Sequence, residues 1–393
     1  MKNQFQNNYL LLFCLIVFIS VTQAQVATIP FENDELMYIK VKVNEHTAPL
    51  NFVFDTGAST VVLDEKVAEK IGVKADYQQP TQGAAGSEMY NIALSQKFQI
   101  GNVILEDAHT VLVDLERLSK RGNQQVDGII GYNIMKEYVT QIDYDENVIK
   151  LYKSIKDIQE KEQYKTVEAS FDYSQIPQVN LEFTLENNQK FKGNFLFDSG
   201  ANLTFLLNTP FVKAKNIENL LGKTIENKAE GLTTSSNFKI GKIVSLQWDD
   251  FTFGEMPIDL SNSKAGVMAS EAYTGILGIK IINKFNSILD YKHKKIYLKP
   301  NKTYQKAFEF PRSGISLTQE TDIIKISNVI TAAEAYKKGI REGDQLLEIN
   351  DITAKDVRKC REILKQKNEK VKLKLKTEKG TIKTITILLK RLI

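Results

Sequence analysis

Phe52-Val53-Phe54-Asp55-Thr56-Gly57-Ala58 and Phe195-Leu196-Phe197-Asp198-Ser199-Gly200-Ala201 are one pattern written twice, 198 − 55 = 143 residues apart. In each copy an apolar run drives a strand into a core and delivers an acid onto a turn, where a hydroxyl and a glycine follow. Each acid is thereby held at a buried strand end. One buried carboxylate is costly, yet two that face each other share a proton, because like charges about 3 Å apart cannot both ionise. Asp55 and Asp198 are therefore the candidate catalytic pair, one acting as base and the other as acid. Gly57 and Gly200 let the two backbones approach, and the hydroxyls of Thr56 and Ser199 are placed to brace one loop against the other.

The repeat extends beyond these loops. Alternating apolar residues precede each acid, Ile39, Val41 and Val43 in the first copy and Val179, Leu181, Phe183 and Leu185 in the second, and each set predicts a strand that returns as a hairpin into the Asp strand. After each acid comes a strand ending Val113-Asp114-Leu115 or Ile258-Asp259-Leu260, then Gly128-Ile129-Ile130-Gly131 or Gly275-Ile276-Leu277-Gly278. Both copies close on an Asp-Tyr pair, Asp143-Tyr144 and Asp290-Tyr291, which reads as a strand leading into a turn. The offset drifts from 143 to 259 − 114 = 145 and then 278 − 131 = 147, as a duplicated lobe with small loop insertions would give.

These motifs resemble the aspartic proteases of the retropepsin-like and pepsin-like group, whose second signature is an apolar pair and a glycine behind the catalytic loop. The Ala after each Gly is closer to the retropepsin side, and two lobes in one chain are closer to the pepsin side. Disulfides and an evident long propeptide, common in pepsins, are missing. The resemblance implies a mainly β fold, a bilobal double β-barrel with lobes at 25–155 and 156–302, and an aspartic endopeptidase that activates water between two aspartates with no metal and no cofactor. Protein or peptide substrates would lie extended in the interlobe cleft. A covering flap is expected at Gln82-Gly83-Ala84-Ala85-Gly86-Ser87, with Tyr90 on its return strand, and a second at Gly231-Leu232-Thr233-Thr234-Ser235-Ser236. By position, Ser59 and Asn202 would contact substrate backbone. The alternative is a catalytically inactive peptide-binding scaffold of the same fold; the presence of both acids, both hydroxyls and both glycines argues against it.

The 393 residues are enough for two or three domains with substantial cores, and the net charge of +4 comes from 52 basic and 48 acidic residues, which argues against a nucleic-acid surface. Residues 1–24 read as a secretory signal: Lys2, an apolar run from Leu10 to Ile19, and Thr22-Gln23-Ala24 as a cleavage site. The expected mature protein is exported, periplasmic or secreted, and bacterial in composition, with no membrane association beyond an uncleaved signal. Cys14 would leave with that signal, so Cys360 would stand alone, without a disulfide. His46, His109 and His293 have no metal-binding spacing.

Beyond Lys299-Pro300 the pattern changes, and a third domain is expected at 308–393. Short strands around Ile324, Ile326, Val329 and Ile330 precede a helix from Ala332 to Lys338, the run Gly339-Ile340-Arg341-Glu342-Gly343-Asp344-Gln345-Leu346-Leu347-Glu348-Ile349-Asn350, a second helix from Asp356 to about Gln366, and two terminal strands. This order and the Gly-Asp run resemble a small α+β PDZ domain of the type attached to bacterial exported proteases. The resemblance implies a carboxylate-binding loop at Arg312, Ser313, Gly314 and Ile315, where backbone N–H groups would receive a peptide C-terminus, for substrate binding or regulation. A domain that only packs on the protease lobes is the other reading of these residues.

Overall fold

Alternation at period two puts Ile39, Val41 and Val43 on one face of strand Leu36–Val43, and all three are buried. That strand pairs antiparallel with Leu50–Phe54, which ends one residue before Asp55 and runs parallel to Gly128–Ile130 on its other side. The second copy repeats the arrangement: Gln178–Thr184, with Val179, Leu181 and Phe183 buried, pairs with Lys190–Asp198, which runs parallel to Gly275–Gly278. In the order across each sheet, seven strands of the first copy match seven of the second, so the duplication read in the sequence is a duplication of topology. The computed structural model describes residues 25–83, 86–122, 124–171, 175–230 and 235–393. The expected signal at 1–24, the flap residues Ala84 and Ala85, and Gly231 to Thr234 lie outside the described residues.

A six-stranded sheet joins the two halves. At its centre Val139–Asp143 pairs antiparallel with Phe285–Asp290, in the register Gln141↔Ile288. Because 288 − 141 = 147 is also the late repeat offset, each strand pairs with its own copy, as at a two-fold axis. The Asp-Tyr pairs end these strands in turns: the Asp143 carboxylate accepts from the N–H groups of Asp145 and Glu146, and the Asp290 carboxylate from the N–H of His293. Each following tyrosine meets a phenylalanine edge-on, Phe31–Tyr144 at 5.5 Å and Phe171–Tyr291 at 5.0 Å.

The chain from the second lobe into the C-terminal domain is held rather than loose. Lys284, only 5 % exposed, donates to the carbonyls of Thr303 (3.1 Å) and Lys306 (2.5 Å) and lies 4.6 Å from the Phe308 ring. Burial lowers the proton affinity of this amine, and the carbonyls replace the water it has lost. The C-terminal domain carries the sheet and two helices that its sequence predicts, with the helices at Glu334–Lys337 and Val357–Lys365. Asp356 is the N-cap of the second, accepting from the N–H groups of Arg358 and Lys359. Its core is continuous with Ile225 and Ile240 from the second-lobe hairpin, and Cys360 is a buried thiol within it.

Candidate active site

Each acid is carried by a strand that has nowhere to slide. Phe52 and Phe54 on one side, and Phe195 and Phe197 on the other, are fully buried, and the N–H of Asp55 donates to Ile130 O at 2.9 Å. Gly131 and Gly278 are glycines for a steric reason. A methyl group on Gly131 would overlap the Asp55 carbonyl, and one on Gly278 would overlap the carbonyls of Ala201 and Leu203. The two apolar-apolar-Gly segments therefore press directly on the backs of the two Asp loops.

The loops meet face to face. The N–H of Thr56 donates to Ser199 Oγ at 3.0 Å, and the N–H of Ser199 donates to Thr56 Oγ1 at 2.9 Å. Thr56 Oγ1 also donates across the gap to Phe197 O at 2.8 Å. Both hydroxyl residues are fully buried, so these bonds have no water to compete with them. The N–H of Gly57 donates to Asp55 Oδ1 at 2.7 Å, while that of Gly200 is shared between Oδ1 of Asp198 and Oδ1 of Asp55, each at 2.9 Å. A methyl group on Gly57 would strike the Asp198 carboxyl, and one on Gly200 the Asp55 carboxyl. Thr56, Gly57, Ser199 and Gly200 thus set the separation of the two acids.

Burial raises the proton affinity of Asp55, against the lowering effect of the Gly57 N–H. Burial raises Asp198 further, and the Asp55 charge beside it adds to the rise. With Ala58 and Ala201 following the glycines, the donors that offset this rise are backbone N–H groups and, for Asp55, the Asp198 carboxyl. The geometry suits a pair that keeps one proton between two carboxyls.

The segment expected to be a flap reaches the second half of the repeat at Gly83, whose carbonyl accepts from the N–H of Val267 at 3.2 Å. Gly86 sits on the return side, with its carbonyl accepting from the Gly83 N–H at 2.7 Å. Tyr90, half-buried, packs with Ala58 and Leu118 against a cluster that includes Leu36, Tyr38 and Val53. Of the two positions past the alanines, Ser59 is exposed, and Asn202 is turned to the first lobe, donating to Glu35 Oε2 at 2.8 Å. In the C-terminal domain Ser313 and Gly314 are buried, Gly314 has φ +67°, Arg312 and Ile315 are half-buried, and the Ile315 N–H already donates to Ser313 Oγ at 3.1 Å. Sequence reasoning passed over Glu35 and Val267. The left-handed φ of 61° at Glu35 marks a tight turn, but Asn33-Asp34-Glu35 carries no motif that names its partner.

The site is thus two Asp-[Thr/Ser]-Gly loops braced through their hydroxyls on a duplicated β fold. The comparison with protein families agrees for the part it covers: an aspartyl protease domain matches residues 39–134, and a PDZ domain matches residues 307–376. Among curated proteins, none matches the chain. The chain thus carries an aspartyl protease domain and a PDZ domain, and the Asp198 loop lies outside both matched segments.

Proposed function

We propose that the protein is an exported aspartic endopeptidase in which Asp55 and Asp198 act on one water molecule. The observation that carries this reading is the reciprocal Thr56–Ser199 pairing, which brings two acids from distant sequence to one Gly200 N–H. The ionised carboxylate takes a proton from the water as it attacks the scissile carbonyl, and the protonated partner donates a hydrogen bond to the developing oxyanion. The proton then passes to the leaving amine. The charge changes little through the step, so a shared-proton pair in a water-poor cleft suits it. Flap closure onto Val267 supports exclusion of bulk water. Export is read from residues 1–24, and a mature N-terminus near Gln25, found by N-terminal sequencing, is its check.

The test is cleavage of a diverse peptide library from pH 3 to 8 by the mature protein and by Asp198→Asn. Cleavage that disappears in the variant is the expected result. Cleavage that survives overturns the shared-proton mechanism, and peptide binding without cleavage by either protein favours the scaffold.

A further inference from the structure

Strand Ile315–Glu320 is one edge of the C-terminal domain's sheet, and helix Val357–Lys365 packs beside it. An extended peptide joining this sheet would lie along that edge, next to that helix. The place is already taken. Helix Glu116–Gly122 of the first protease lobe packs on the same strand, with its C-terminal end at the opening between strand and helix. The last carbonyls of a helix have no partner within it. Here they find theirs on the PDZ domain: Lys120 O accepts from Thr318 Oγ1 at 3.1 Å, and Arg121 O accepts from Arg361 Nη2 at 2.7 Å. The same Arg361 nitrogen donates to Leu317 O at 2.7 Å, so one guanidinium ties the edge strand to the lobe helix. Beside it Arg358 reaches Glu32 (3.4 Å) and Asp34 (3.1 Å) of the first lobe.

We infer that the peptide groove of the PDZ domain is masked by the first lobe's own helix end, and that a peptide with a free C-terminal carboxylate enters only when this contact opens. The inference rests on the PDZ domain being a peptide-binding module. A second observation points the same way: the Ile315 N–H, expected to receive a carboxylate, is held by Ser313 Oγ. The mask is also joined to the cleft. Leu118 on the masking helix packs in the cluster that holds Tyr90 and Ala58, and Glu35, next to Asp34, holds Asn202 four residues past Asp198. Because coupling between two sites is reciprocal, a peptide that opens the mask alters the cleft, and a ligand that orders the cleft alters peptide affinity.

The experiment uses the full chain carrying Asp198→Asn, so that no probe is cleaved, and measures capture of a library of peptides with free C-terminal carboxylates. Three forms are compared: this parent; the parent with Glu32→Lys and Asp34→Lys, which leaves the PDZ domain untouched; and that variant with Arg358→Glu, which restores opposite charges. Opening the mask is expected to tighten capture by about tenfold, since apparent affinity scales with the fraction of open protein. The charge swap is expected to bring it back. Hydrogen exchange should rise and fall in step at 116–122 and 315–320, which also reports whether each form is folded. Equal affinity in all three forms, or capture by none, overturns the inference. Capture that follows the charge pairing, in a protein whose Asp198 form cleaves nothing, upholds the mask and overturns the endopeptidase reading instead.

Discussion

The stretch between the strand-end acid and the glycine strand occupies the same place in both halves of the repeat, yet its two copies have opposite partners. In the first lobe it forms helix Glu116–Gly122, which faces outward and binds the PDZ domain through Lys120 and Arg121. In the second it forms a short turn, Val267–Ala269, whose first N–H donates to the carbonyl of Gly83 from the other half. The acids that precede these stretches diverge with them. Asp114 is exposed, 4.0 Å from Lys66, whereas Asp259 is pushed by burial up to about 6, against the opposing charges of Lys280 and Arg121. The Asp loops themselves barely differ. Duplication has kept symmetry where two carboxyls must be alike and lost it where each half meets a different neighbour.

Breaking the symmetric part should have the largest effect. Asp55→Asn or Asp198→Asn is expected to lower kcat/KM by at least about 10³-fold on any peptide the parent cleaves. The same Asp198→Asn change should raise thermal stability at neutral pH. The sign follows from the raised proton affinity: the stability from holding that proton is present below the unfolded carboxyl's pKa and is lost as pH rises through the folded one. Melting curves of the two proteins should therefore converge in acid and separate above it.

The braces come next, because they are less equal than the acids. The Thr56 hydroxyl makes two bonds across the loops and the Ser199 hydroxyl one. Thr56→Ala is expected to cost about 2 to 3 kcal/mol in denaturant unfolding, and Ser199→Ala about 1. Equal losses would mean that the braces are interchangeable.

The strand-end acids sharpen the asymmetric part. As pH rises from about 4 to about 6, wild type should lose up to about 3 kcal/mol more stability than Asp259→Asn, because Asp259 ionises only in the former. The smallest effect belongs to the flap contact. Val267→Pro removes the donor to Gly83 O and suits the first position of its short turn, so KM should rise by up to about fivefold with kcat nearly unchanged.

Much of this was legible in the chain. The Asp loops, the apolar-apolar-Gly segments and the hairpin runs are short patterns whose local physics repeats, and repetition made them readable as a pair of facing acids. The helix at Val357–Lys365 announced itself through the Asp356 cap and its apolar spacing. Glu35 with Asn202, Gly83 with Val267, and Arg361 with Arg121 were not legible. Each pair is far apart in sequence, carries no period, and joins ordinary surface residue types. Lys284 is the same case: a lone lysine reads as solvated surface, and only packing against Phe308 and the carbonyls of 303–306 makes it a buried anchor.

The sequence by itself determined that there are two acids on two equivalent strand ends, because burial of alternating residues and the backbone freedom of glycine act over a few residues. Only the tertiary structure decided that the first half packs on the edge strand of the PDZ domain while the matching stretch of the second half meets Gly83. Those choices rest on long-range contacts between partly exposed groups, and such contacts exist only once the cores have set the surfaces beside each other.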